Sequence, residues 1–162
     1  MRFVPTLLAC SFALASASAL ANDPKATIAD LDARLNKLGA PKVEGTATVA
    51  DKEVPAIFFG KRRINGNYDV VDEIKKASGA TATVFVKNGD DFVRVSTNVL
   101  TPEGKRGVGT QLARNKAYES VSKGQSFCGE VDVLGTAYNT CYNPVKDASG
   151  AVIGLTYVGF KK

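Results

Sequence analysis

Residues 127–142 read FCGEVDVLGTAYNTCY, from Phe127 to Tyr142, and the rest of the chain can be arranged around them. Two runs of alternating character flank Leu134-Gly135, which predicts a tight hairpin centred on that pair. A turn there sets Val133 opposite Thr136 as a hydrogen-bonded pair. Counting outward makes Cys128 and Cys141 a non-hydrogen-bonded pair, where opposed Cα atoms lie about 4.5 Å apart. A disulfide accepts that separation. The same register puts Phe127, Gly129, Val131, Val133, Thr136, Tyr138, Thr140 and Tyr142 on one face. Glu130, Asp132, Asn139 and the two cysteines lie on the other. A face that is apolar but dotted with hydroxyls fits two descriptions: a plain core with ordinary tyrosines, or a core opening into a small polar pocket.

The chain begins with a segment that does not belong to the fold. Arg2 supplies a positive start, Phe3 to Leu14 an apolar run, and Ala19-Leu20-Ala21 a small-x-small cleavage site, together the pattern of a signal peptide spanning residues 1–21. The apolar run is too short to cross a membrane. Leu7-Leu8-Ala9-Cys10 faintly resembles a lipoprotein box but comes too early to leave a working apolar region. Residues 22–162 then make a single domain in a periplasmic or secreted location, with no membrane span in the mature chain. Export suits the cysteines, since losing Cys10 leaves only the hairpin pair in a compartment where disulfides persist. Closing the loop from Cys128 to Cys141 is worth about 3 kcal/mol by chain entropy. No histidine is present and the cysteine spacing matches no zinc pattern, so neither a metal nor a cofactor is expected. Without Arg2 the 21 basic residues become 20, against 16 acidic, a formal +4. That mild excess suits small anions or an anionic cell surface and does not argue for nucleic acid.

Asp23-Pro24 is a helix start, a capping carboxylate before a proline at the first helical position. Ile28, Leu31, Leu35 and Leu38 recur at helical spacing until Gly39, so this helix should lie on a sheet. Thr46 to Val49 and Pro55 to Phe59 read as short extended pieces, and Lys61-Arg62-Arg63 as a basic, solvated loop. Asp69 is placed to cap a second helix, Val70 to Ser78, with Val70, Val71, Ile74 and Ala77 as its stripe. From Ala80 the period becomes two. Thr81 to Lys87 and Asp91 to Val99 are predicted strands around Asn88-Gly89-Asp90. A long Gly-rich excursion follows, with a short helix around Asn115 to Lys123, then the central hairpin and a last strand from Ala151 to Phe160. The expected fold is α+β: five antiparallel strands, an N-terminal helix on one face, and the excursion over the other.

Gly79 to Val86, followed by Asp90-Asp91-Phe92-Val93-Arg94-Val95-Ser96-Thr97-Asn98, resembles the start of the sheet in extracytoplasmic Cache sensor domains. The closest type is the single-module Cache 3/Cache 2 fusion. Similarity continues through Arg106 to Leu112, Ala117-Tyr118, Leu134-Gly135, Tyr138, Thr140, Tyr142-Asn143-Pro144, Asp147, Gly150, Val152-Ile153-Gly154 and Tyr157-Val158-Gly159. The resemblance implies a PAS-like five-stranded sheet. It further implies a small metabolite, such as a short carboxylate or amino acid, held between the sheet and the excursion. Family members commonly form the outer part of chemoreceptors or kinases, which implies a role in chemotaxis or signal transduction beside a membrane receptor or kinase partner. Three departures stand out: a short N-terminal helix, no flanking membrane helices or output domain, and Phe127-Cys128 where the family usually has tyrosine. The cysteine pair looks like an addition of this branch.

Arg94 is the sharpest candidate for holding a ligand. Mid-strand between Val93 and Val95, its guanidinium needs an anion or a carboxylate, and the partner is either a ligand or an acid such as Asp91. Arg106 in the excursion either closes over a carboxylate or is solvated. Thr97 offers a hydroxyl or caps the strand end. Gly107 to Thr110 can present N–H groups to an anion. Tyr118, Tyr138 and Thr140 add hydroxyls to the pocket or belong to the core. The expected function is binding of a small metabolite by a sensory module acting with a membrane partner. The alternative is a ligand-free scaffold of the same fold. Catalysis is not expected, because the commonest general base is missing and no nucleophile or paired-carboxylate motif stands out.

Overall fold

The computed structural model describes residues 22–162; the signal-peptide reading lies outside them. Helix α1 spans Pro24–Leu38. The Asp23 carboxylate caps it, accepting from the Lys25 N–H at 2.9 Å. Ile28, Leu31 and Leu35 are buried, as their spacing predicts. Strands β1 (Pro41–Val49), β2 (Lys52–Phe59) and β3 (Arg62–Arg63) then form a small sheet in the order β1-β2-β3. This sheet is longer than the sequence suggests, and the supposed basic loop contains its third strand. The reason is exposure. Lys42 to Thr46 are all exposed, so β1 carries no apolar alternation to reveal it, and its register shifts between Val43 and Thr46.

Helix α2 spans Asp69–Ser78. Asp69 is its first residue rather than its cap; Tyr68 takes the cap position without a side-chain bond, and Ala77 is exposed rather than part of the stripe. Strands β4 (Thr81–Asn88), β5 (Asp91–Thr97), β6 (Phe127–Val133), β7 (Thr136–Lys146) and β8 (Val152–Lys161) make the main sheet. Its order is β5-β4-β8-β7-β6, antiparallel throughout. The fold is α+β with the expected five-stranded antiparallel sheet. The central hairpin keeps the predicted register, from Val133 opposite Thr136 to Cys128 opposite Cys141. Leu134 and Gly135 both have positive φ, 49° and 87°, as a two-residue primed turn requires. The cysteines are bonded, with Cα atoms 4.1 Å apart.

Each face of the main sheet has its own core. On one, α1 and α2 cover an apolar layer that includes Leu31, Leu35, Ile74, Val84 and Val158. On the other, the excursion and helix α3 (Lys116–Val121) cover Phe85, Phe92, Leu112, Val121, Tyr142, Leu155 and Tyr157. The excursion is fastened to β5 by backbone bonds. Gly109 N–H donates to the Arg94 carbonyl (2.8 Å), Arg94 N–H to Thr110 (2.9 Å) and Leu112 N–H to Phe92 (2.9 Å). The β1–β2 hairpin tip rests on the same segment, with Lys52 Nζ donating to the Gly109 carbonyl at 3.0 Å. A Cβ at Gly109 would fall 2.7 Å from that of Ala50, so glycine permits the close approach.

Candidate functional site

The site starts from an irregularity in β5. Phe85 pairs with Arg94 but Val84 with Ser96, so one extra residue, Val95, is inserted opposite β4. Strict alternation would send Arg94 and Thr97 to opposite faces, because they are an odd number of residues apart. The bulge brings them to the same face, where Arg94 pairs beside Phe85 and Thr97 beside Thr83.

Arg94 is 3% exposed. Its guanidinium stacks over the Phe85 ring, 4.8 Å from the centroid. Nη1 donates to Thr110 Oγ1 (3.0 Å) and to the Gln111 carbonyl (3.1 Å). Both acceptors are neutral. Nε is buried with no acceptor, and among the described residues Arg94 forms no ion pair. Asp91, the acid nearest in sequence, is taken by Arg114 at 2.8 Å. Burial lowers the Arg94 pKa, opposed only by the hydroxyls of Tyr142 and Tyr157, and the group stays cationic regardless. This is a buried positive charge without a counter-charge.

Further hydroxyls lie in the same layer. Thr83 and Thr97 share a hydrogen bond of 2.7 Å. The Tyr157 hydroxyl meets Thr81 Oγ1 at 3.0 Å, and Thr81 Oγ1 donates to the Gly159 carbonyl at 2.9 Å. Gly159 makes room for this arrangement, since a Cβ there would fall 2.2 Å from the Tyr157 hydroxyl. The Tyr142 and Tyr157 rings lie 5.0 Å apart. Burial raises the pKa of both phenols well above the ordinary value, so they stay protonated and able to donate.

The structure gathers some of the predicted residues and disperses others. Arg94 and Thr110 come together, and Thr97 faces the same side with its hydroxyl engaged by Thr83. Thr140 and Tyr138 lie on the same face along β7, where Thr140 Oγ1 donates to the Gly129 carbonyl (2.7 Å) and Tyr138 is half-buried. Burial also raises the Tyr138 pKa. Arg106 does have bidentate geometry, but toward Asp72 of α2 (2.7 and 2.8 Å), and it reaches the site only from behind, through the Thr97 carbonyl (3.0 Å). The Tyr118 hydroxyl turns to the β4–β5 turn, donating to the Asp90 carbonyl at 2.6 Å. Sequence reasoning missed Thr81, Thr83 and Phe85 on the sheet face that Arg94 shares, and Tyr157 close to its guanidinium. The alternation of β4 carried the signal for the first three; Tyr157 depended on the pairing of β8 between β4 and β7.

A basic, hydroxyl-lined face between a PAS-like sheet and a crossing excursion agrees with the resemblance seen in the sequence. The family model of the Cache 3/Cache 2 fusion domain matches residues 24–162. The chain belongs to this family. No curated protein matches the sequence. Cache domains are extracytoplasmic sensory modules that bind small ligands and typically work with membrane receptors; they are not enzymes. Among the described residues, no helix of this Cache domain is long and apolar enough to cross a membrane.

Proposed function

We propose that this Cache domain is a periplasmic or secreted sensory module whose ligand is a short carboxylate held at Arg94, and that it reports occupancy to a membrane partner. The uncompensated cation carries the reading. Burying an unpaired charge costs several kcal/mol, and an apolar residue would fill the position more cheaply in a scaffold. A carboxylate would satisfy the guanidinium in the low-dielectric interior, with Thr83, Thr97, Tyr142 and Tyr157 as neighbouring hydroxyls. Among the described residues no carboxylate pairs with Arg94 or stands ready there for an ammonium group, which favours simple acids over amino acids.

The test is a thermal-shift series with acetate, lactate, propionate and small amino acids on the wild type and on Arg94→Leu. A ligand that binds only the folded state raises the melting temperature by mass action. A simple acid should stabilise the wild type and leave Arg94→Leu unmoved. If Arg94→Leu responds as the wild type does, the assignment of Arg94 is wrong. If no acid stabilises the wild type, the scaffold reading gains.

A further inference from the structure

The Lys61-Arg62-Arg63 run finds a place outside the Arg94 site. It lines an open cleft of about 840 Å³ together with Asn65, Asn67 and Tyr68. A second cleft of about 380 Å³ is lined by Lys75, Lys76, Leu100 and Arg106. Asp72 belongs to both. The Asp72–Arg106 ion pair is therefore the saddle between them, with the Arg106 guanidinium 4.4 Å above the Tyr68 ring. The two clefts make one groove along α2.

Its charge is not balanced. Each acid of α2 is already engaged by an arginine from elsewhere: Asp69 by Arg62, Asp72 by Arg106 and Glu73 by Arg34. Among the described residues Lys61, Arg63, Lys75 and Lys76 form no ion pair. Six cationic side chains and two carboxylates line the groove, leaving a formal +4. Residues 22–162 as a whole carry 20 basic and 16 acidic residues, also +4. The net excess of this region is thus matched by one groove, while the remaining surface is neutral in sum.

We propose that this groove binds phosphate-bearing polyanions, as a second site separate from Arg94. Its two free clusters call for a ligand with more than one negative charge. A phosphate concentrates nearly two charges on three strong acceptor oxygens and accepts from several directions at once. That suits pairs of lysine and arginine better than the planar fork of a carboxylate does. The groove is open and lined mostly by polar and charged side chains, with Tyr68 and the 53% exposed Leu100 as its large hydrophobic residues among the described ones. The same chemistry could come from a soluble phosphate compound or from a phospholipid headgroup.

The experiment measures binding of pyrophosphate by calorimetry, and of vesicles of equal parts phosphatidylglycerol and phosphatidylcholine by co-sedimentation, at low and high salt. The proteins are the wild type, Arg94→Leu, and the quadruple variant Lys61→Gln/Arg63→Gln/Lys75→Gln/Lys76→Gln. Removing four unpaired cations should weaken binding at least about tenfold and remove most of its salt dependence, with the melting temperature unchanged. Arg94→Leu should bind as the wild type does, which keeps this result independent of the sensory site. Pyrophosphate binding alone assigns a soluble source, vesicle binding alone a lipid one, and either supports the site. Absence of both, equal binding by the quadruple variant, or citrate binding as tightly as pyrophosphate overturns it.

Discussion

The two faces of the main sheet differ in what they bury. Under α1 and α2 the layer is almost wholly apolar, and Leu31, Val71, Ile74 and Val84 are all 0% exposed. Under the excursion the layer is as tightly closed, yet it encloses a guanidinium and a set of hydroxyls among Phe85, Phe92, Tyr142 and Leu155. Most of the face under α1 and α2 contributes apolar burial, with the hydrogen-bonded group of Asp32, Asn143 and Thr156 as a polar exception. The other face gives up some stability to hold a charge, and the proposed ligand site rests on that concession.

Mutation should separate the faces by size of effect. Leu31→Ala, on the α1 face, should cost about 4 kcal/mol in denaturant unfolding; a loss under about 1 kcal/mol would mean that α1 is only loosely attached. Reduction of the Cys128–Cys141 bond should cost about 3 kcal/mol or less, since β7 remains held between β6 and β8. A melting temperature unmoved by reductant would show that the hairpin needs no staple. Arg94→Leu, on the opposite face, should change unliganded stability by no more than about 1 kcal/mol, or increase it. A large loss there would erase the distinction, making Arg94 a structural residue.

The smallest effect is a slope with pH. Asp32 of α1 accepts from Asn143 Nδ2 and Thr156 Oγ1, both at 2.7 Å, and anchors the helix to β7 and β8. Burial raises its pKa above 3.8, and the two hydrogen bonds only partly oppose this. The folded protein therefore holds the proton more tightly than the unfolded chain does. Its contribution is fully present below 3.8 and is lost as pH rises through the raised folded value. The stability of the wild type relative to Asp32→Asn should accordingly fall between acid and neutral pH. A difference that rises with pH would reverse the assigned sign.

Much of the fold was legible because its signals are local. The α1 stripe, the period-two runs of β4 and β5, and the turn at Leu134-Gly135 each rest on neighbours along the chain. The small sheet was not, because β1 is exposed on both faces and hydrophobic period cannot mark a strand without a buried side. The site was half legible. Arg94 stands out as a cation in an apolar strand, but its partners arrive from β4, β7, β8 and the excursion.

By itself, then, the sequence determined the helices, the strands of the main sheet, the hairpin register and the cysteine pairing that follows from it, since alternation about a fixed turn leaves one set of opposed residues. Only the tertiary structure decided which hydroxyls stand beside Arg94 and where Arg106 goes. The bulge at Val95 exists only against β4, and the Asp72 that captures Arg106 is brought near by the packing of α2. Both depend on contacts between segments far apart in the chain, and no local pattern encodes such contacts.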